Sequence, residues 1–158
     1  MGTADLLDAH PDALVCLVQW RSFGARSFSG AISTVRCFED NVVLKATVSE
    51  PGDGRVLVVD GGGSLRCALL GDNIAAIAKS NGWAGVVLNA CVRDSVALDE
   101  LGCVSRPFGV KALGTNPRPS RKGGEGEVDV PVTFGDVTFT SGAALYADED
   151  GVVVLPPA

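Results

Sequence analysis

Val56-Leu57-Val58-Val59-Asp60-Gly61-Gly62-Gly63-Ser64 decides the fold when it is read together with Gly71-Asp72-Asn73 and Ala84-Gly85-Val86-Val87-Leu88. The first run has no polar break before Asp60, as expected of a strand buried on both faces. Gly71-Asp72-Asn73 then opens a helical pattern through Ile74, Ala75, Ile77 and Ala78, which Asn81-Gly82 stops. Residues 84–88 are a second buried strand. Strand, helix and strand make a βαβ unit, whose crossover is right-handed.

Downstream of this unit, Asn89 to Asp94 leaves the strand, and a short helix is expected through Ala97, Leu98 and Leu101. Residues 108–113 are the next expected strand, and 115–126 a loop rich in Pro, Gly, Arg and Lys. Residues 128–134 and 137–140 predict a hairpin around Gly135-Asp136. Asp148-Glu149-Asp150-Gly151 turns into a last strand at 152–155. Upstream, residues 31–38 and 42–48 are expected as strands flanking a Glu39-Asp40-Asn41 turn. Residues 21–30 are an expected loop, 13–20 a strand, and the chain opens on a short helix capped by Thr3 and stopped before Pro11. No internal repeat or dividing linker is visible, so residues 1–158 are read as one domain. Strand-rich ends around a βαβ centre predict an α/β layered sandwich, sheet against sheet, with helices on one outer face.

Of the 158 residues, 46% are hydrophobic and 20% charged, which is too apolar for a disordered chain. The net charge of −6 repels nucleic-acid phosphates and leaves direct RNA or DNA binding unsupported; it would attract a basic protein segment. Cys16, Cys37, Cys67, Cys91 and Cys103 are odd in number, and no two have CxxC spacing. They are expected to be buried, reduced thiols of a cytoplasmic protein. A single histidine, His10, gives no support to a histidine triad or a multi-histidine metal site, and is expected at a helix end. Met1 to Asp5 lacks a basic region followed by an apolar one, and no apolar run approaches membrane-spanning length.

Three places carry candidate chemistry. Gly61-Gly62-Gly63-Ser64 follows a buried strand but matches neither GxGxxG nor a P-loop, so it reads first as a tight turn. Asp72 starts a helix, where a carboxylate either caps the exposed amides or shares them with a ligand, the amide of Asn73 among them. Arg93-Asp94 lies past the carboxyl end of a buried strand, where α/β proteins place ligands. Arg93 offers a planar fork for a carboxylate, and Asp94 a hard oxygen for Mg²⁺ or Mn²⁺. A surface turn with a local ion pair is the plainer alternative. Helix start and strand end share one edge of a βαβ unit, so Asp72 and Arg93-Asp94 are expected to converge. Asp40-Asn41 reads as a bend, Lys45 as a solvated strand residue, and Arg118, Arg121 and Lys122 as a solvated loop.

The chain resembles the RraA-like family, which includes regulators of ribonuclease E activity and class II 4-hydroxy-4-methyl-2-oxoglutarate aldolases. The likeness rests on residues 3–6 and 8–11, Phe28 to Val35, Glu39-Asp40-Asn41, Val58 to Ser64, Gly71-Asp72, and 146–151. Its most specific element is Asp72, then twenty residues, then Arg93-Asp94. The resemblance implies a compact β/β/α sandwich assembled as a homotrimeric ring with sites between subunits. It implies a pyruvate- or oxaloacetate-type 2-oxo acid as substrate, with Mg²⁺ on Asp94 and the substrate on Arg93. Asp72 would orient metal-bound water, Asn41 would touch the substrate, and the Asn73 amide would add a hydrogen bond. The aldolase pattern carries an acid three residues past the Arg-Asp aspartate, where this chain has Ala97; that change and the end at Ala158 fit the branch that binds ribonuclease E. A ring of three gives the first prediction: light scattering should return about three times the 16.2 kDa chain mass at micromolar concentration.

Overall fold

The computed structural model describes residues 2–102 and 106–157. The first half of the chain comprises α1 (Thr3–Ala9), β1 (Leu14–Val15), β2 (Arg21–Gly24), β3 (Phe28–Arg36), α2 (Val42–Val48), β4 (Val56–Asp60), β5 (Ala68–Leu70) and α3 (Asp72–Ser80). The second half comprises β6 (Gly85–Val92), α4 (Ser95–Leu101), β7 (Gly109–Thr115), β8 (Glu127–Val128), β9 (Val132–Phe134), β10 (Val137–Phe139), β11 (Ala144–Ala147) and β12 (Val152–Leu155). Cys103 lies outside the described residues.

The expected βαβ unit is its centre. β4, β6 and β7 pair in parallel, and β3 pairs parallel to β4. The order across the large mixed sheet is β1-β12-β11-β3-β4-β6-β7-β2. β3 joins its two halves: residues up to Ala31 pair antiparallel with β11, and from Ile32 onward the strand pairs with β4. Side chains alternate along each strand. Leu57, Val59, Val86 and Leu88 face Leu44 and Val48 of α2, Ala75 and Ala78 of α3, and Leu98 of α4. Val56, Val58 and Val87 face the other way, against Val132, Phe134, Val137 and Phe139 of the β9–β10 hairpin and Leu145, Val152 and Val154. Helices, parallel sheet and second β layer therefore stack in that order, as the layered reading expected.

The hairpin turns at Gly135-Asp136, where both residues have positive φ (57° and 66°), as a two-residue primed turn requires. Cys16, Cys37, Cys67 and Cys91 are buried and unpaired. Burial pushes the Cys37 thiol up to about 12, with Asp40 and Asp60 adding to the rise, so it stays protonated at neutral pH. Among the described residues, no helix is long and apolar enough to cross a membrane.

Four expectations change. Residues 42–48 form a helix, not a strand. Three of the seven are valine and one is threonine, all β-branched, but packing overrides that preference: Leu44 and Val48, one turn apart, are fully buried in the core under the sheet. Residues 21–24, expected as loop, pair with β7 as an edge strand. β5 and β11 are short strands in stretches for which the sequence predicts no element. Thr3 does not cap α1; Gly2 holds that position, and Thr3 reaches instead for Asp148. His10 does end the helix.

Asp148 ties α1 to the second β layer. It accepts bonds from the Thr3 amide and hydroxyl, both 2.7 Å, and from the Asp150 amide at 2.9 Å. Partial burial works against its charge, but these bonds outweigh it and hold the carboxyl below its usual range. A depressed folded pKa adds stability that is present above the ordinary carboxylate range and is lost as pH falls through the lowered value. Asp148→Asn should therefore cost about 1 kcal/mol at pH 7, the scale of hydrogen bonds to a partly solvated charge, and should shrink the loss of stability below about pH 4. Urea melts at pH 7 and pH 3 check both effects.

Candidate functional site

The convergence of Asp72 with Arg93-Asp94 is produced by β5. This strand runs parallel to β6 with Leu70 opposite Val92, an offset of 22 residues. Continuing in that register sets Gly71 beside Arg93 and Asp72 beside Asp94. The Arg93 amide donates to the Leu70 carbonyl at 2.9 Å, and the Asp72 amide donates to Asp94 Oδ2 at 3.2 Å. The sequence spacing of twenty residues between the two motifs is this register. β6 is longer than expected, running to Val92, so Arg93 is the first residue past the strand.

Two backbone features aim the Asp94 carboxylate. Asp94 sits in the left-handed region (φ 58°, ψ 44°), which few residues other than glycine, asparagine and aspartate adopt. Gly71 leaves room for it: a Cβ there would lie 2.6 Å from Asp94 Oδ2 and 3.3 Å from Arg93 Cγ. Arg93 and Asp94 are both solvent-exposed. The local ion pair considered from sequence is not formed. Among the described residues the salt bridges are Arg36–Glu127 and Arg66–Glu39, and the Arg93 guanidinium has no hydrogen-bond partner.

These residues line one cavity of about 560 Å³. Its walls include Asn41, Asp72, Asn73, Arg93 and Asp94, so all five sequence candidates meet there. Lys45 and Lys122 line it too, and neither was singled out as a site residue. Lys45 was missed because a helix, not a strand, puts it one turn from Asn41; residues 41, 45 and 49 all line the cavity at helical spacing.

Asn41 lines the cavity and also has a structural task there. Its side chain is buried, Nδ2 donates to the Leu69 carbonyl at 3.0 Å, and Oδ1 accepts from Lys122 Nζ at 2.9 Å. Asn41 thus anchors Lys122 to β5. The neighbouring Asp40, 2% exposed, accepts amides of Val42, Gly123 and Gly124 at 3.1, 2.7 and 3.0 Å. Burial alone would raise its pKa, but these bonds and one from the Glu125 amide outweigh burial and lower it. The Glu39-Asp40-Asn41 segment, read as a bend, is the clamp that holds the loop of Lys122 against the cavity.

The glycine run and the acids near Ala97 fall outside the cavity. Gly62 and Gly63 take positive φ (70° and 73°), and the Gly62 amide bonds Asp60 Oδ1 at 2.9 Å, so the glycine run is a tight turn. Asp99, one of the acids close to Ala97 in sequence, accepts the Gly24 amide at 2.9 Å. Among the described residues no three His, Cys, Asp or Glu side chains cluster as a ready metal cage. A cation held here would rest on Asp94, a hard oxygen donor, with Asp72 near and water completing its shell.

A family model described as RraA-like, Aldolase/RraA, matches residues 3–154. The chain belongs to the RraA-like family. Among solved structures, a Geobacillus kaustophilus protein named S-adenosylmethionine: 2-dimethylmenaquinone methyltransferase is 46% identical, with a TM-score of 0.93 over 100% of this chain and 96% of that one. The RNA-processing inhibitor RraA of Thermus thermophilis is also 46% identical, with a TM-score of 0.90 over 99% and 93%. RraAS2 of Streptomyces coelicolor, named an unusual member of the RNase ES inhibitor RraA protein family, is 28% identical, with a TM-score of 0.78 over 99% and 80%. Equal identity to proteins with two different names leaves the RraA-like assignment firm and the activity to be argued from the cavity.

Gly71→Ala tests the aiming of Asp94. The backbone of Gly71 is extended (φ −127°), so alanine fits it without strain and thermal stability should change by less than about 1 kcal/mol. A crystal structure of the variant should show the Asp94 carboxylate swung away and its bond from the Asp72 amide broken.

Proposed function

We propose that this RraA-like protein is a divalent-metal-dependent lyase acting on small 2-oxo acids, by oxaloacetate decarboxylation or aldol cleavage of a 4-hydroxy-4-methyl-2-oxoglutarate type of substrate. The observation that carries this reading is the unpaired Arg93 guanidinium beside the aimed Asp94 carboxylate, in a cavity that also holds Asp72. Asp94 would hold Mg²⁺, or Mn²⁺ in its place. The cation, when bound, supplies a Lewis acid that draws electron density from the keto oxygen.

Arg93 receives the carboxylate and keto oxygen of the substrate in its planar fork. In decarboxylation the bond from C3 to the distal carboxylate breaks, CO₂ leaves, and the electron pair moves toward the keto group. The negative charge that develops there is what Arg93 stabilises. Water then returns a proton to C3, giving pyruvate. Asp72 orients a water at the mouth of the helix, and the Asn73 amide offers a further donor. Aldol cleavage also needs a base to remove a hydroxyl proton, and Ala97 supplies none, so decarboxylation is the easier reaction here. Assembly as a homotrimer belongs to the same proposal; exposed Phe38, Leu65 and Val96 offer apolar surface for it.

A second reading, a regulator that binds a ribonuclease E-like protein, has two supports. A 46% identical relative is named an RNA-processing inhibitor, and a net charge of −6 suits a basic partner segment.

The deciding assay follows oxaloacetate loss with Mg²⁺, corrected for the rate that free Mg²⁺ gives. Wild type should exceed that background. Arg93→Lys should lose about 2–4 kcal/mol of transition-state stabilisation, because an ammonium keeps the charge but not the two-point contact. Calorimetry should show weaker Mg²⁺ binding in Asp94→Ala. A wild-type rate equal to background, with capture of a basic ribonuclease scaffold, would select the regulator.

A further inference from the structure

The cavity carries more positive charge than the metal-and-substrate assignment uses. Asp72 and Asp94 are its two acids, while Arg93, Lys45 and Lys122 are its three cations, in a chain whose net charge is −6. Arg93 and Asp94 stand at the end of β6. Lys45 stands on the α2 wall, one helical turn beyond Asn41. Lys122 spends two of its three donors inside the protein, on Asn41 Oδ1 at 2.9 Å and Ser120 Oγ at 3.4 Å. The Lys45 ammonium has no hydrogen bond or ion pair among the described residues. Ser49, the next residue on the same face, turns its hydroxyl back to the Lys45 carbonyl at 2.7 Å and does not compete for a ligand.

We infer that Lys45 is a specificity-determining residue of this site, which receives a second, distal carboxylate of the ligand while Arg93 holds the 2-oxo acid end; this pairing suits aldol cleavage, which keeps that carboxylate, and must break before oxaloacetate can lose it as CO₂. The inference rests on the 2-oxo acid reading above. It follows from the ligand's chemistry. A monocarboxylic 2-oxo acid satisfies Arg93 and leaves Lys45 facing only water. A dicarboxylic one places an anion at each cationic wall and gains charge-assisted hydrogen bonds that a neutral tail of equal length cannot make. A mobile lysine on an exposed helix face also tolerates tails of different length, so the residue selects charge more than size.

The test compares matched ligands, 2-oxoglutarate against 2-oxovalerate, which differ by the distal carboxylate. Binding to the Mg²⁺-supplied full-length protein is measured by calorimetry at fixed ionic strength. Wild type should bind 2-oxoglutarate about tenfold more tightly, the scale of one charged contact. Lys45→Met, which keeps the side-chain length, should abolish that preference while leaving 2-oxovalerate affinity within about twofold. Lys45→Arg should restore most of the preference. Lys45 is exposed, so the variants should fold, which matching thermal melts confirm. If wild type binds both ligands equally, or Lys45→Met keeps the preference, the inference fails and the 2-oxo acid reading stands. If wild type binds neither ligand, both fail.

Discussion

Two segments 22 residues apart leave the sheet side by side, and the candidate chemistry depends on that register. β5 is three residues long, yet its pairing with the end of β6 fixes where α3 begins and where β6 lets go. A one-residue slip in a parallel pair would turn alternate side chains to the opposite face. Here it would also move Gly71 out from under the Asp94 carboxylate and set a Cβ against it. The left-handed backbone at Asp94 persists because the surrounding sheet and α4 hold both of its neighbours.

Much of this was legible in the sequence where patterning was strong. The unbroken apolar runs at 56–59 and 84–88, with one helical pattern between them, are what two-faced burial demands, and they gave the parallel core. Asp72 and Arg93-Asp94 could be placed on one edge from topology alone. What sequence patterning could not show was β5. Three residues after a glycine turn have no periodicity to detect, and their strand character comes from pairing with β6 and from the bridge of Ala68 to Pro119. α2 was hidden for a different reason. Four β-branched residues of seven state a strand preference, and only the buried pair Leu44 and Val48 at helical spacing argues against it. That error carried over to the site, because Lys45 enters the cavity only if the segment is a helix.

The polar residues show the same division. Asn41 lines the cavity, and its amide also bridges the Leu69 carbonyl and the Lys122 ammonium, so it positions Lys122 there. Asp40, which looked like a simple bend, is buried because it gathers backbone amides from a distant loop. Such contacts join residues more than eighty positions apart, and a single sequence carries no local mark of them.

The helix α2 has a consequence for the chain before it is folded. Val42-Val43-Leu44-Lys45-Ala46-Thr47-Val48 is held helical by the sheet beneath it, so the segment has no sheet to lean on during synthesis or after unfolding. In that state its β-branched residues favour extended pairing with other chains, the composition of an aggregation-prone heptamer. Lys45 is the one charge in that stretch, placed at its centre, where stacked copies would set like charges against one another. The residue facing the cavity in the native state is thus also the gatekeeper of the unfolded one, and replacing it with an apolar side chain bears on the solubility of nascent chains independently of ligand binding.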